Sequence, residues 1–361
     1  MKALTVLSVA YPFAPVGSDA VGGAEQVLTM LDEALVRAGH RSLVVACEGS
    51  VCQGTLIPTP RWDLQDEAVY AAAHERHRQA IVGALTRWPV DLVHLHGLDF
   101  ASYLPPPGPP VLATLHLAPH LYSREALFPA RPGTWLHAVS ETQHRACPAG
   151  APLLDPIPNG VDLQVLRPAG RKRGFALALG RICHEKGFHL ALDAAKAAGV
   201  PLLLGGEVFP YPEHQRHFRE EIAPRLDPLR RFLGPLGLRR KRRLLAAARC
   251  LLAPSRIAEA CPLVVMEALA CGTPVIAFRS GALPEIVEHG RTGLLVEDEK
   301  EMAEALRRVD ALDPAECRRA AEERFSAKRM TGRYLGLYQR LAGGGLDRTP
   351  ILEVAETKRP E

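Results

Sequence analysis

The chain has no Cys-x-x-Cys pair, no internal repeat, and no apolar run near the ~20 residues needed to cross a bilayer. The first absence argues against a zinc ribbon or a dithiol redox centre. The eight cysteines (Cys47, Cys52, Cys147, Cys183, Cys250, Cys261, Cys271 and Cys317) are scattered, several of them in apolar runs. They read as reduced, mostly buried thiols, and the expected location is cytoplasmic. The opening, MKALTVLSVAYPF, imitates a signal peptide through Lys2 and the apolar stretch behind it. That stretch is short and runs into a glycine-rich loop without a cleavage-like site, so a first β-strand is expected instead. A net charge of +4 is too mild to imply nucleic acid or membrane as a partner. What is present is ordinary globular material: 361 residues, 47% apolar and 23% charged. That suffices for about two domains of ~150 residues each.

The first half reads as alternating strands and helices. Leu4 to Ala10 is a buried strand, followed by a loop from Pro12 to Gly23. Apolar residues at Val27, Met30/Leu31, Ala34/Leu35 and Ala38 then mark a helix, closed by Gly39 before a strand from Ser42 to Cys47. This is a βαβ unit, and Gly22-Gly23 feeding a helix start is an anion site. Glu67 to Trp88 is helical in character. Further strands are expected at Val90 to His94, Val111 to Thr114 and Leu136 to Val139. Ligands of parallel α/β sheets gather beyond the carboxyl ends of strands, which places His94, His96, His116 and Ser140 at one rim. A histidine at a strand end is more often a plain hydrogen-bonding residue than a ligand. His94 and His96 alternate and could share a face, but no carboxylate joins them at a metal-binding spacing, and no metal is expected.

PIPNGVD, Pro156 to Asp162, is a turn-rich boundary. Beyond it Phe175 to Leu179 forms a strand, and Arg181 and Lys186 follow its end. An Arg fork and a Lys point charge suit phosphate oxygens, although two solvated surface cations would look the same. A helix from Phe188 to Gly199 and strands at Pro201 to Leu204 and Leu251 to Pro254 complete the pattern. Arg239 to Arg243 is an unbroken cationic run ahead of an apolar helix. It is either a solvated helix start or a contact for anionic lipid or an anionic acceptor. Helices are expected from Glu301 to about Val309 and from Pro314 onward. A last one carries Met330, Tyr334, Leu337/Tyr338 and Leu341 at helical spacing.

The densest stretch is Pro254 to Val296, PSRIAEACPLVVMEALACGTPVIAFRSGALPEIVEHGRTGLLV. PLVVMEALA has Pro262 suited to a first helical turn and ends at Cys271-Gly272. Apolar almost all round, it should be buried. Glu267 on it therefore needs a donor, either a structural Arg or the hydroxyls of a ligand. Glu259 stands just before the helix, and the free N–H groups near Leu263 and Val264 form an anion site. A diphosphate flanked by two polyhydroxylated rings fits that layout.

These residues resemble the donor motif of the family 4 retaining glycosyltransferases, which have the GT-B fold. Glu259 and Glu267 match its Glu-x7-Glu; Gly272-Thr273-Pro274-Val275, Pro284-Glu285 and Gly290 to Gly293 follow in order. Gly22-Gly23, His116, NGVD, Arg181 and Lys186 extend the match over most of the chain. The resemblance implies an α/β fold of two Rossmann-like parallel-sheet domains facing a cleft, the last helix crossing back to the first domain. The implied division is 1–165 for the acceptor, 166–325 for the nucleotide sugar, 326–342 for the crossover helix and 343–361 as a loose tail.

It also implies hexose transfer, with retention, from a nucleoside-diphosphate sugar, UDP-glucose first, to a small-molecule acceptor. The implied catalytic residues are His116, Arg181, Lys186 and Glu259. Donor contacts are Gly22, Gly23, Arg181, Lys186, Leu236, Glu259, Pro262, Leu263, Val264 and Glu267, and acceptor contacts are Tyr11, Glu25, His96 and Ser140. No cofactor is implied. No metal is implied either: the chain lacks the Asp-x-Asp of metal-dependent glycosyltransferases of the other major fold. The opening PFAPVGSDAVGGAEQ is similar to the branch that glucosylates reduced pterins. Cys261-Pro262 departs from the family's usual Phe-Gly and removes one backbone donor, which leaves the sugar open. A same-fold epimerase or phosphorylase, and a non-catalytic nucleotide-sugar binder, are the alternatives. Turnover with and without an acceptor pool separates them.

Overall fold

The computed structural model describes residues 2–62, 67–168 and 170–345; most of the expected tail, 346–361, lies outside them. The first domain runs β1 (Thr5–Val9), α1 (Gly23–Arg37), β2 (Arg41–Cys47), β3 (Thr55–Thr59), α2 (Glu67–Arg87), β4 (Leu92–Leu95), β5 (Val111–Leu115), α3 (Arg124–Leu127), β6 (Thr134–Ala138), α4 (Glu141–Ala146) and β7 (Leu153–Leu154). The second runs β8 (Ala176–Leu179), α5 (Phe188–Ala198), β9 (Leu202–Gly205), α6 (Pro212–His217), β10 (Arg230–Phe232), α7 (Leu238–Ala247), β11 (Cys250–Ala253), α8 (Leu263–Ala270), β12 (Val275–Phe278), α9 (Leu283–Ile286) and β13 (Gly293–Val296). Helices α10 (Glu299–Arg308), α11 (Pro314–Arg324) and α12 (Ala327–Ala342) close the chain.

The strands form two parallel sheets, ordered β3-β2-β1-β4-β5-β6-β7 and β10-β9-β8-β11-β12-β13. This is the expected pair of Rossmann-like sheets. In each, the order reverses once, between β1 and β4 and between β8 and β11. Such switch points open the crevice in which α/β proteins bind ligands. The glycine loop and the His94–His96 strand flank the first; the Arg181 loop and the Glu259 segment flank the second. Strand β3, which carries Pro58, was not among the strands expected from sequence. The proline is tolerated because β3 is an edge strand, with one side free of pairing.

Helix α12 crosses back onto the first sheet. Its buried residues Met330, Tyr334, Leu337, Tyr338 and Leu341 are those expected from the spacing. Two tyrosines enter a buried polar chain whose direction can be worked out. His137 Nδ1 lies 2.9 Å from the Ala138 carbonyl, which can only accept, so that nitrogen carries the proton. His137 Nε2 then accepts from Thr114 Oγ1 at 2.7 Å. Thr114, its one proton used, accepts from His94 Nε2 at 2.7 Å, and His94 Nδ1 accepts from the Tyr338 hydroxyl at 2.7 Å. His94 is thus a structural residue tying the crossover helix to the sheet. Burial is the main cause that lowers its pKa well below the usual value, and it takes His137 down to about 4.

Tyr338→Phe leaves the buried His94 Nδ1 without a donor and should lower the unfolding free energy by about 1–3 kcal/mol. Tyr334→Phe, whose hydroxyl is 3.4 Å from Thr114, should cost less. Urea denaturation of both variants checks the order. The lowered pKa values also set the sign of an acid effect. The unfolded chain takes up protons near 6.5 that the folded His94 and His137 refuse. Stability should be full above about pH 6.5 and fall as pH drops from there towards 4, a trend read as a declining melting temperature.

Candidate active site

The second domain's half of the site is assembled around α8. Its apolar residues, Val264 apart, are buried against the sheet, and Glu267 on the same helix is only 4% exposed. Its partner is Lys241 from α7, with Nζ 2.6 Å from Oε1. The core Arg considered from sequence is not there; a lysine from the cationic run takes its place. The run is therefore divided: Arg239, Arg240 and Arg243 are exposed, while Lys241 is held in the site.

Glu259 is positioned by its neighbours on both sides. Ser255 Oγ donates to Oε1 at 2.6 Å, and Lys186 Nζ reaches the same oxygen at 2.5 Å. Lys186 arrives there because its loop folds onto the segment after β11. Arg256 N–H donates to the Glu185 carbonyl at 2.8 Å. Gly187 has φ +65°, and a Cβ there would lie 2.2 Å from the Pro254 carbonyl oxygen, so only glycine fits. On the other side Gly281, φ +54°, presses on the Glu259 backbone, and Ala282 N–H donates to the Glu259 carbonyl at 2.8 Å. Arg181 is exposed on the same loop as Lys186 and, among the described residues, has no carboxylate within ion-pair distance.

Pro262 was expected inside the first turn of α8. It is instead the cap residue, with extended ψ of 112°, and helical geometry begins at Leu263. The cap has no side-chain acceptor, and the N–H groups of Leu263 and Val264 have no protein acceptor among the described residues. A cavity of about 30 Å³ lies here, lined by Lys186, Ser255, Glu259, Pro262 and Val264.

From the first domain, Gly23 approaches this helix start: a Cβ on it would stand 3.6 Å from Leu263 Cδ1. Gly22 caps α1, and the Glu25 carboxyl folds over it so closely that a Cβ there would displace that carboxyl. Burial raises the Glu25 pKa. His96 and His116 are stacked, Nδ1 to Nε2 at 3.0 Å. Burial, then His137, pushes His116 down to about 3, so it is a neutral hydrogen-bonding imidazole near neutral pH. His96 Nε2 is buried without a protein partner among the described residues. Tyr11 packs on Phe13 with ring centroids 5.3 Å apart. Leu236 covers Gly205 at the end of β9.

Ser140 is buried and caps α4, accepting from Gln143 N–H at 3.2 Å. It lines a separate cavity of about 520 Å³ at the domain junction with Asn159, Glu285 and Arg329. Among the described residues no group of three His, Cys, Asp or Glu side chains is placed to hold a metal ion. No described helix is long and apolar enough to cross a membrane. Sequence reasoning missed Lys241 and Ser255 as partners. The signal for Lys241 was electrostatic: cations at a helix N-terminus oppose its dipole and call for a carboxylate.

Residues 21–165 match the family model described as Glycosyltransferase Family 4, and residues 174–310 match the one described as Glycosyl transferases group 1. A D-inositol 3-phosphate glycosyltransferase of Saccharomonospora viridis is 42% identical over 210 residues, covering 50% of this chain and 48% of that protein. An alpha-maltose-1-phosphate synthase of Mycobacterium tuberculosis is 29% identical over 231 residues, 51% of this chain and 59% of that protein. The chain thus spans about half the length of the curated relatives it matches. Among solved structures, AviGT4, a glycosyltransferase involved in avilamycin A biosynthesis, is 27% identical with a TM-score of 0.70, covering 94% of this chain and 98% of that one. Anabaena Alr3699/HepE, solved in complex with UDP and glucose, is 19% identical with a TM-score of 0.71, covering 93% and 99%; it shares the fold.

Lys241→Met strands Glu267 as a buried, unpaired carboxylate and should destabilise by about 3–5 kcal/mol. Adding Glu267→Gln should recover most of that loss. Chemical denaturation of the single and double variants decides; equal stability of Lys241→Met and wild type would refute the pairing.

Proposed function

Given a chain that carries both domains of a family 4, group 1 glycosyltransferase, we propose that it transfers a hexose from a nucleoside-diphosphate sugar to a small hydroxyl-bearing acceptor, with retention and without a metal. The observation that carries this reading is the convergence of Lys186, Glu259 and the free N–H groups of α8 on one cavity, with Glu267 farther along the same helix. In this reading, breaking the sugar–phosphate bond leaves negative charge on the diphosphate. Lys186, Arg181 and the Leu263 and Val264 N–H groups are aimed where that charge develops. The Glu267 carboxylate takes the ribose hydroxyls and Glu259 those of the sugar, each exchanging part of its lysine contact for ligand. Neutral His116 positions the sugar through a hydrogen bond. No protein nucleophile is assigned, and same-face displacement is the proposed route to retention.

UDP-glucose is the proposed donor, a choice supported by the UDP and glucose named for the Anabaena neighbour of the same fold. The opening loop suggests a reduced pterin as acceptor, whereas the relatives' names point to a phosphorylated inositol or sugar. An acceptor panel should hold all three.

Calorimetry with UDP, GDP and ADP in the absence of metal tests the donor site. One nucleotide should bind, and Glu267→Ala should weaken it by at least tenfold. Lys186→Ala should chiefly lower kcat in a donor-consumption assay. Turnover that needs no added acceptor would point to the epimerase instead. Failure of a well-folded protein to bind any of the three nucleotides would remove the donor reading.

A further inference from the structure

Two carboxylates to which no donor contact is assigned, Asp19 and Glu285 of the Pro284-Glu285 pair, each cap a helix of the opposite domain. Asp19, on the loop before α1, accepts from Leu238 N–H at 2.8 Å, the first residue of α7. The α7 cap, Gly237, has no side chain of its own to do this. In the other direction Glu285 on α9 accepts from Glu141 N–H at 3.0 Å and Thr142 N–H at 2.5 Å, the start of α4. A helix start leaves N–H groups without internal partners, and a carboxylate there also meets the favourable end of the dipole. On α7 the charge matters twice, because Arg239 and Arg240 crowd the first turn.

We infer that Asp19 and Glu285 are positioning residues that lock the two domains into the arrangement in which the site is complete. Each lock connects to one donor-site glutamate. Asp19 fixes α7 three residues before Lys241, the partner of Glu267. Glu285 sits on the segment whose Ala282 N–H holds the Glu259 carbonyl. Asp19 also shares its loop with Gly22 and Gly23, so the cap brings that loop to the start of α8. Domain approach and the aim of both glutamates are thereby one event. This inference rests on the donor reading for its kinetic consequence and on the hydrogen bonds alone for its structural one.

The test uses the full chain with Asp19→Ala, Glu285→Ala, the double variant, and Asp19→Asn and Glu285→Gln, whose amide oxygens can still accept. Small-angle scattering gives the radius of gyration with and without UDP, and kinetics give KM and kcat for the donor. The double alanine variant should expand without nucleotide and return to the wild-type radius at saturating nucleotide. Its donor KM should rise by about fivefold per lost cap, the factor that a typical cap is worth, with kcat close to wild type. The amide variants should retain most of the wild-type radius and KM. An unchanged radius in the double variant, with only a lower melting temperature, would show that the caps serve their own helices and would overturn the inference. If wild type binds no nucleotide, the donor reading fails separately, and the nucleotide-free radius still decides the lock.

Discussion

Two glutamates, one on a buried helix and one just ahead of it, must each meet a cation, and the second domain is organised by that requirement. Neither lysine comes from nearby sequence. Lys186 is brought by the loop after β8, and Lys241 by the start of α7. Satisfying both glutamates fixes that loop and that helix against α8. Ion pairs out of water add little net stability, since desolvation offsets their attraction. Their contribution is better understood as registration: they determine which loop faces which. Gly187 and Gly281 serve the same end, because their left-handed backbone lets two segments close on Glu259 from either side.

The first domain solves a different problem. Its rim carries several histidines on adjacent strands, and unpaired buried imidazoles would be costly. Thr114, with one proton to give, sets the direction of the chain from Tyr338 through His94 to His137. That chain consumes His94 and leaves His96 and His116 at the rim. The crossover helix supplies the hydroxyl that completes it, so the packing of α12 and the protonation of the rim are parts of one network.

The fold was largely legible because its signals are local. Periodicity marked α1 and α12, and glycine and proline marked the loops. Edge strand β3 was not read from sequence: Pro58 argues against a strand unless the edge position is known, and that is a property of the whole sheet. At the site, residue types were legible but their partners were not. The sequence shows that Glu267 needs a donor and that the Arg239–Arg243 run has cations facing the wrong way on a helix. Only the packing of α7 against α8 joins the two statements through Lys241. Ser140 carries a role that its position at a strand end did not reveal: its hydroxyl oxygen caps α4 by accepting from the Gln143 N–H, while the residue also lines the larger cavity.

The departure at Pro262 acquires a definite meaning from its geometry. Inside the first turn, a proline would delete one of the N–H groups that point along the helix axis. As the cap residue, with its ψ extended, it lies before that set, and Leu263 and Val264 keep theirs. A missing cap N–H removes a donor beside the axis, next to Glu259, where the proposed reading places the sugar rather than the diphosphate. On the proposed reading, the departure bears on which sugar is accepted and leaves the N–H groups of the helix start in place. The glycine loop of the first domain faces the same point, with Gly23 against Leu263.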